Sequence, residues 1–265
     1  MTRKKPTKAQ LELSSLTRRV ARRVKKERAP RAQGVKLTRV QHRPRADHKA
    51  RHPVHVTLRG AKGIPSFRSQ SLQTLFTRAV ARQARRDYGG CFRVCQFSIQ
   101  HTHLHLIVEA EPVTQEMLAE AKERGGRELL SKRAKKGLET LDRDMLRRGI
   151  AGFMISLAKQ LNNLLGRAGA VWGDRHHRRA LESPRAVRNA LVYVLQNHRR
   201  HGLGLEIKTL DPYSSAPWFR GWKDSSEALD ATSGRWVPPA RTWLLREGWQ
   251  KTDGLLSIHD YPRAD

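Results

Sequence analysis

His101, His103 and His105 stand at alternate positions in the run His101-Thr102-His103-Leu104-His105-Leu106-Ile107-Val108. Period two is the signature of a β-strand, because successive side chains leave on opposite faces. Leu104, Leu106 and Val108 then form the core side, and the imidazoles project together from the other. Imidazoles two residues apart on one strand face lie roughly 6–7 Å apart, close enough to share one metal ion at about 2 Å per bond. A phosphate would suit the same pair, and a polar strand face with incidental histidines is the plain alternative. A second chemical pair lies downstream. Tyr193 and Asn197 are four residues apart in a helical segment, and four residues bring side chains to one helix face. Taken singly, Tyr193 reads as a half-buried helix-flank tyrosine and Asn197 as a solvated position near a helix end.

These residues need elements to hold them. Residues 53–59 alternate Val54, Val56 and Leu58 and predict a first strand. From Ser71, the stripe Leu72, Leu75, Phe76, Ala79 and Val80 predicts a helix, with Arg78, Arg82, Arg85 and Arg86 on its other face and Gly89-Gly90 as its stop. Residues 92–97 predict a second strand, joined by a hairpin near 98–101 to the histidine strand. Residues 112–143 read as a charged helical excursion. Ile150, Phe153, Met154, Leu157, Leu161 and Leu165 mark the strongest amphipathic helix, ended by Gly166 and Gly169. Ala170-Val171-Trp172 is the expected fourth strand or its approach. Ser183-Pro184 opens the last helix as N-cap and first helical residue. Val187, Leu191, Val194 and Leu195 form its buried stripe, and Gly202 is its expected stop. The order strand, helix, strand, strand, helix, strand is the ferredoxin-like split βαβ, an α+β fold with an antiparallel sheet and helices on one face.

Charge narrows the partner. The chain has 265 residues, 53 Lys+Arg against 24 Asp+Glu, and a formal net charge of +29. Such an excess suits a polyanion, nucleic acid first. Residues 1–52 hold 18 Lys+Arg and 3 Asp+Glu, and read as a basic, partly disordered arm with one amphipathic helix over 8–28. Residues 203–265 carry five of the six tryptophans and several prolines. They read as a small extension whose tryptophans cap the main domain, or alternatively stack on single-stranded bases. Two cysteines, Cys91 and Cys95, exclude a disulfide framework and a four-cysteine zinc site. No apolar run is long enough for a membrane span and no secretory signal is visible, so a cytoplasmic, nucleoid-associated protein is expected.

His103-Leu104-His105, then a long amphipathic helix, then Tyr193-x-x-x-Asn197 resembles the single-tyrosine HUH transposases, the group that includes the REP-associated tyrosine transposases. The resemblance spans about 53–202, with 112–143 as an insertion. It implies that His103, His105 and Asn197 bind a divalent metal, Mg²⁺ or Mn²⁺, and that Tyr193 is the nucleophile. Imidazole ligands favour Mn²⁺, and Mg²⁺ prefers all-oxygen sites. The implied activity is cleavage and rejoining of single-stranded DNA through a 5′-phosphotyrosine, as in DNA transposition, on hairpin or palindromic ends, with a homodimer as an expected assembly. The segment 172–177, Trp-Gly-Asp-Arg-His-His, resembles the family's Arg-Tyr-His stretch, with His176 in place of the tyrosine; His101 lies outside the family pattern. Arg59, Arg78, Arg82, Arg85, Arg175 and His177 are the candidate DNA contacts. The competing readings are a non-catalytic nucleic-acid-binding protein on the same platform, and a replication-initiator or relaxase relative. Relaxases usually carry three histidines and an early tyrosine, whereas Tyr193 follows the histidine pair by about ninety residues.

Overall fold

The computed structural model describes residues 47–85, 90–112, 138–201, 210–223 and 237–262. The expected basic helix at 8–28, most of the 112–143 insertion, Gly89, Gly202 and Trp236 lie outside the described residues. The elements in order are β1 (Val54–Arg59), α1 (Gln70–Arg85), β2 (Phe92–Ile99), β3 (His103–Ala110), α2 (Leu138–Leu164), β4 (His177–Ala180) and α3 (Pro184–Leu195). A 3₁₀ turn (Asn197–His201) follows α3 directly. A second lies at Ala216–Trp218, then a turn of π-helix (Leu244–Gly248) and a short α4 (Gln250–Asp253). The four strands form one sheet in the order β2-β3-β1-β4, with every neighbouring pair antiparallel. That order is the ferredoxin-like split βαβ. No helix among the described residues is long and apolar enough to cross a membrane.

One face of the sheet packs on α1 and α2. Val54, Val56 and Leu58 of β1 and Leu104, Leu106 and Val108 of β3 meet Leu72, Phe76 and Val80 of α1 and Ile150, Phe153 and Leu157 of α2. β2 joins this face only because it carries a bulge. The register with β3 slips between Val94 and Gln96, which leaves Cys95 as the extra residue. The slip shifts the alternation by one, so Phe92 and Val94 before it and Phe97 and Ile99 after it all enter the same core. Gly149 lets α2 approach β2 closely: a Cβ there would lie 2.2 Å from Cγ of Phe92.

The opposite face is covered as well, contrary to the expectation of helices on one side only. α3 lies there. Val187, Leu191, Val194 and Leu195 pack with Cys95 and Ile107 of the sheet and with Phe219, Trp222, Trp249 and Leu256 from the C-terminal segments. Thus Ile107, which shares the histidine face, is wholly buried. Trp222 and Trp249 act as the expected apolar cap, whereas Trp243 stays half exposed.

Three boundaries differ from the sequence expectation. The fourth strand is His177–Ala180, not the apolar run 170–172. It is an edge strand with only intermediate or exposed residues, so it shows no apolar alternation. Val171 instead fills the core, and Trp172 bridges to Gly60 while its indole N–H donates to the Met154 carbonyl at 3.0 Å. α2 begins at Leu138, twelve residues before its first clear apolar repeat. α3 ends at Leu195, and the chain tightens into the 3₁₀ turn. Its start matches expectation: Ser183 Oγ accepts from the Ala186 N–H at 3.2 Å, with Pro184 at the first helical position.

The C-terminal segments are bonded to the sheet, not laid over it. Residues 213–215 cover the outer edge of β2: Ile99 N–H donates to Tyr213 O at 2.8 Å and Ser215 N–H to Phe97 O at 2.9 Å. Buried Asp211 accepts both Nη groups of Arg68 at 2.9 Å. On β3, Glu109 is 1% exposed. It accepts from Arg93 Nη2 at 2.7 Å, from the backbone N–H groups of Arg241 and Thr242, and from the Thr242 hydroxyl. An otherwise costly buried carboxylate is thereby fully bonded.

Candidate active site

The site is built on the α3 face of the sheet, where the strand register puts the polar residues in rows. Directly opposed residues of an antiparallel pair point to the same face. His103 stands opposite Arg59. His105 stands opposite Thr57, which stands opposite His177. Ile107 stands opposite His55, which stands opposite Arg179. The histidine pair of β3 is therefore flanked across β1 and β4 by Arg59, Thr57, His55, His177 and Arg179.

Short contacts tie the central members together. His55 Nε2 lies 3.2 Å from His105 Nδ1, and Thr57 Oγ1 lies 3.3 Å from the same atom. The His103 and His105 rings are perpendicular with centroids 4.7 Å apart. Thr102 Oγ1 lies 3.2 Å from His103 Nδ1. Tyr193 of α3 closes the cluster from above: its ring meets His105 edge-to-face at 5.0 Å and His55 at 5.7 Å. The Arg200 guanidinium lies 5.5 Å from the centre of the Tyr193 ring. Tyr193 is half-buried and Arg200 is exposed.

Asn197 is the first residue of the 3₁₀ turn below Tyr193. Gln196 ends α3 with φ −118° and ψ 20°, and its side chain donates to Ser257 O at 2.9 Å, which fixes the turn. Asn197 is 0% exposed, and neither its Oδ1 nor its Nδ2 has a hydrogen-bond partner among the described residues. Burying an unpaired carboxamide costs about 1–3 kcal/mol. Two imidazoles and an amide oxygen suit a divalent ion that keeps coordination positions for phosphate oxygens. No group of three or more His, Cys, Asp or Glu side chains able to hold a metal occurs among the described residues. The neighbouring His198 is also buried, and burial pushes its pKa below the ordinary 6.5, although Asp211 acts in the opposite direction.

The structure thus brings His103, His105 and Tyr193 together and puts Arg59 and His177 on the same sheet face. Arg175 is exposed in the loop before β4. Arg78 and Arg82 are exposed on α1, the layer behind the sheet, where the Arg82 guanidinium donates to Gln160. They do not join the imidazoles. The side chain of Arg85 lies outside the described residues. His101, expected to share the strand face, sits in the hairpin turn with Nδ1 2.9 Å from Ser66 Oγ. The first-strand residue His55 is a member of the cluster that sequence reading did not single out. The signal was present: alternation of Val54, Val56 and Leu58 puts His55, Thr57 and Arg59 on the opposite face together.

No protein-family model matches the chain, and no curated protein matches it. Among solved structures it is similar to a REP-associated tyrosine transposase bound to a REP hairpin, at 17% identity and a TM-score of 0.41, over 65% of this chain and 81% of that one.

Proposed function

We propose that this protein cleaves and rejoins single-stranded DNA, with Tyr193 as nucleophile and His103, His105 and Asn197 as ligands of a divalent metal, Mn²⁺ or Mg²⁺. The observation that carries the reading is the buried carboxamide of Asn197, unpaired among the described residues, four residues beyond a tyrosine whose ring meets His105 edge-to-face. His105 Nδ1 is engaged by His55 and Thr57, and His103 Nδ1 by Thr102. Partners of this kind behind a metal-binding histidine fix the direction of its ring; in this reading Nε2 of each imidazole is the ligand atom. The metal, when bound, supplies Lewis-acid stabilisation of the charge that develops on the scissile phosphate.

The chain's own residues do the rest. Tyr193 Oη attacks phosphorus and loses its proton; the bond from phosphorus to the 3′-oxygen breaks, and that oxygen takes up a proton as it leaves. The products are a 5′-phosphotyrosine and a free 3′-OH. Attack of a second 3′-OH on the phosphotyrosine reverses the step and rejoins strands, because the covalent link conserves the phosphodiester bond energy. Arg200 beside the Tyr193 ring, with Arg59 and His177 across the sheet, draws phosphates towards the nucleophile.

The test is incubation of 3′-labelled hairpin oligonucleotides with Mn²⁺ and denaturing electrophoresis. Wild type should give a protein–DNA band and Tyr193→Phe should give none, while both bind the strand with similar affinity and salt dependence. An adduct at wild-type level from Tyr193→Phe would move the nucleophile elsewhere. Binding without adduct from the wild type on every hairpin would make this a binding protein.

A further inference from the structure

The histidine pair of β3 lies between two rows of side chains on one face of the sheet. The β1 row is His55, Thr57 and Arg59; the β2 row is Gln96, Ser98 and Gln100. Ser98 stands directly opposite His105, so its side chain shares the face of that imidazole. The next rung pairs Gln100 with His103, and Gln100 N–H donates to His103 O at 2.9 Å. Directly opposed residues bring their Cβ atoms about 5 Å apart, so Gln100 flanks His103 on one side as Arg59 does on the other. Gln96 is committed elsewhere, since its Oε1 accepts from Ser215 Oγ at 2.6 Å. Gln100 is not. Its side chain is buried, at 1% exposure. Its Nε2 donates to Ser98 Oγ at 2.6 Å, and Ser98 is itself wholly buried and bridged to Ser214. The amide is thus anchored through its nitrogen. Its Oε1 has no hydrogen-bond partner among the described residues, at a cost of about 1–3 kcal/mol.

We propose that Gln100 Oε1 is a further oxygen ligand of the divalent ion, from the β2 side of the histidine pair. The inference rests on the proposed function for the presence of the ion. Gln100 lies outside the set His103, His105 and Asn197 that the resemblance supplies. Which atom of the amide is free decides what the group can do. A free amide N–H donates to a phosphate. A free carbonyl oxygen repels phosphate oxygens and serves an anion-binding site only through a cation. It is also a hard donor of the kind that Mn²⁺ and Mg²⁺ accept. Ser98 stands behind this amide as His55 and Thr57 stand behind His105, and such partners fix the direction of a ligand. With two imidazoles and two amide oxygens bound, an octahedral ion keeps its remaining positions for phosphate oxygens or water.

The test uses the full chain and Mn²⁺ without DNA. Isothermal titration gives the affinity, and water-proton relaxation counts the waters held on the bound ion. Gln100→Met keeps the length of the side chain and removes the oxygen; Gln100→Glu keeps an oxygen and adds a charge. Gln100→Met should weaken Mn²⁺ binding about tenfold or more, the lower end of what losing even a partner behind a ligand costs. It should also leave one more water on the metal than in wild type. Gln100→Glu should bind at least as tightly as wild type with no extra water. Its melting temperature should fall in EDTA, where the buried carboxylate has no cation, and should rise more than that of wild type on adding Mn²⁺. The water count separates ligation from support. A residue that only props His103 would lower affinity and leave the count unchanged, which overturns the inference. So does an unchanged affinity in a folded Gln100→Met variant. Should that variant not fold, a Gln100→Glu protein that gains no more from Mn²⁺ than wild type overturns it instead. In each of these cases wild type still binds Mn²⁺, and the site of His103, His105 and Asn197 stands. A wild type that takes up no Mn²⁺ removes that site, and the role of Gln100 with it.

Discussion

Replacing Asn197 by leucine should have effects of opposite sign with and without metal. The carboxamide is fully buried and neither of its polar atoms is paired among the described residues. Leucine keeps the branching and removes the polar atoms, so in metal-free protein the penalty of about 1–3 kcal/mol for an unsatisfied buried group disappears. A gain of about 2 kcal/mol corresponds to a Tm rise of roughly 4–8 °C for a unit of this size. With Mn²⁺ at a hundredfold excess over its Kd, wild type gains about 2.7 kcal/mol by mass action, and a variant lacking one ligand gains much less. The two melting curves should therefore change order: Asn197→Leu is the more stable in EDTA and the less stable in Mn²⁺. Differential scanning calorimetry of both proteins in both buffers measures this. If Asn197→Leu melts below wild type in EDTA by more than about 1 kcal/mol, a size natural for a lost structural hydrogen bond, the amide is a packing group and its assignment as a ligand fails.

Four further outcomes follow from the same structure. His105→Ala should abolish Mn²⁺-dependent cleavage while strand binding, measured by anisotropy, persists. Glu109→Ala leaves the buried Arg93 guanidinium without its main partner and should cost about 3–5 kcal/mol in urea unfolding; a loss below 1 kcal/mol would show the network to be incidental. Gly149→Ala drives a methyl group into Phe92, and overpacking of this kind should cost about 1–3 kcal/mol. The Cys91 thiol is pushed up from its ordinary 9.0 to about 11, chiefly by burial, and the Cys95 thiol is also raised, again chiefly by burial. In the unfolded chain these thiols ionise first, so stability should be intact below about pH 9 and decline as pH climbs towards 11. Neither thiol should react with a disulfide reagent at pH 8 in the native state. Rapid labelling there would contradict their burial.

Where packing imposes a period, the fold was legible. Val54, Val56 and Leu58 declare β1; Leu72, Phe76 and Val80 declare α1; Ser183-Pro184 declares the start of α3. Where packing imposes none, the elements were hidden. β4 is His-Arg-Arg-Ala on an edge, held by backbone pairing with β1 and not by burial. The first turns of α2 are charged, and nothing in their spacing joins them to the apolar stripe that begins at Ile150, so they read as part of the helical excursion at 112–143. The cover on the second face depends on tryptophans far along the chain from α3, and periodicity says nothing about long-range contacts. In the site, the histidine pair stood out through its spacing, and Tyr193 only through the resemblance that it completes with Asn197. The burial of Asn197 did not, because a helix-end position is solvated unless another segment covers it, and here residue 257 fastens the turn through Gln196. His55 was missed for a similar reason: one histidine in an alternating strand acquires meaning only through the register that sets it beside His105.

Glu109 joins β2, β3 and the stretch at 241–242 through one carboxylate, and Trp222 and Trp249 share their burial with α3. The consequence is one of heredity. A segment joined to the sheet in this way cannot be gained, lost or exchanged as a cassette. A recombination breakpoint beyond α3 would strip the helix that carries Tyr193 of its outer cover and leave the buried Glu109 carboxylate without the donors that Arg241 and Thr242 supply. The C-terminal sequence must therefore drift together with β3 and α3, one compensated substitution at a time. Its ancestry is tied to theirs even though, read along the chain, it looks like an appendage.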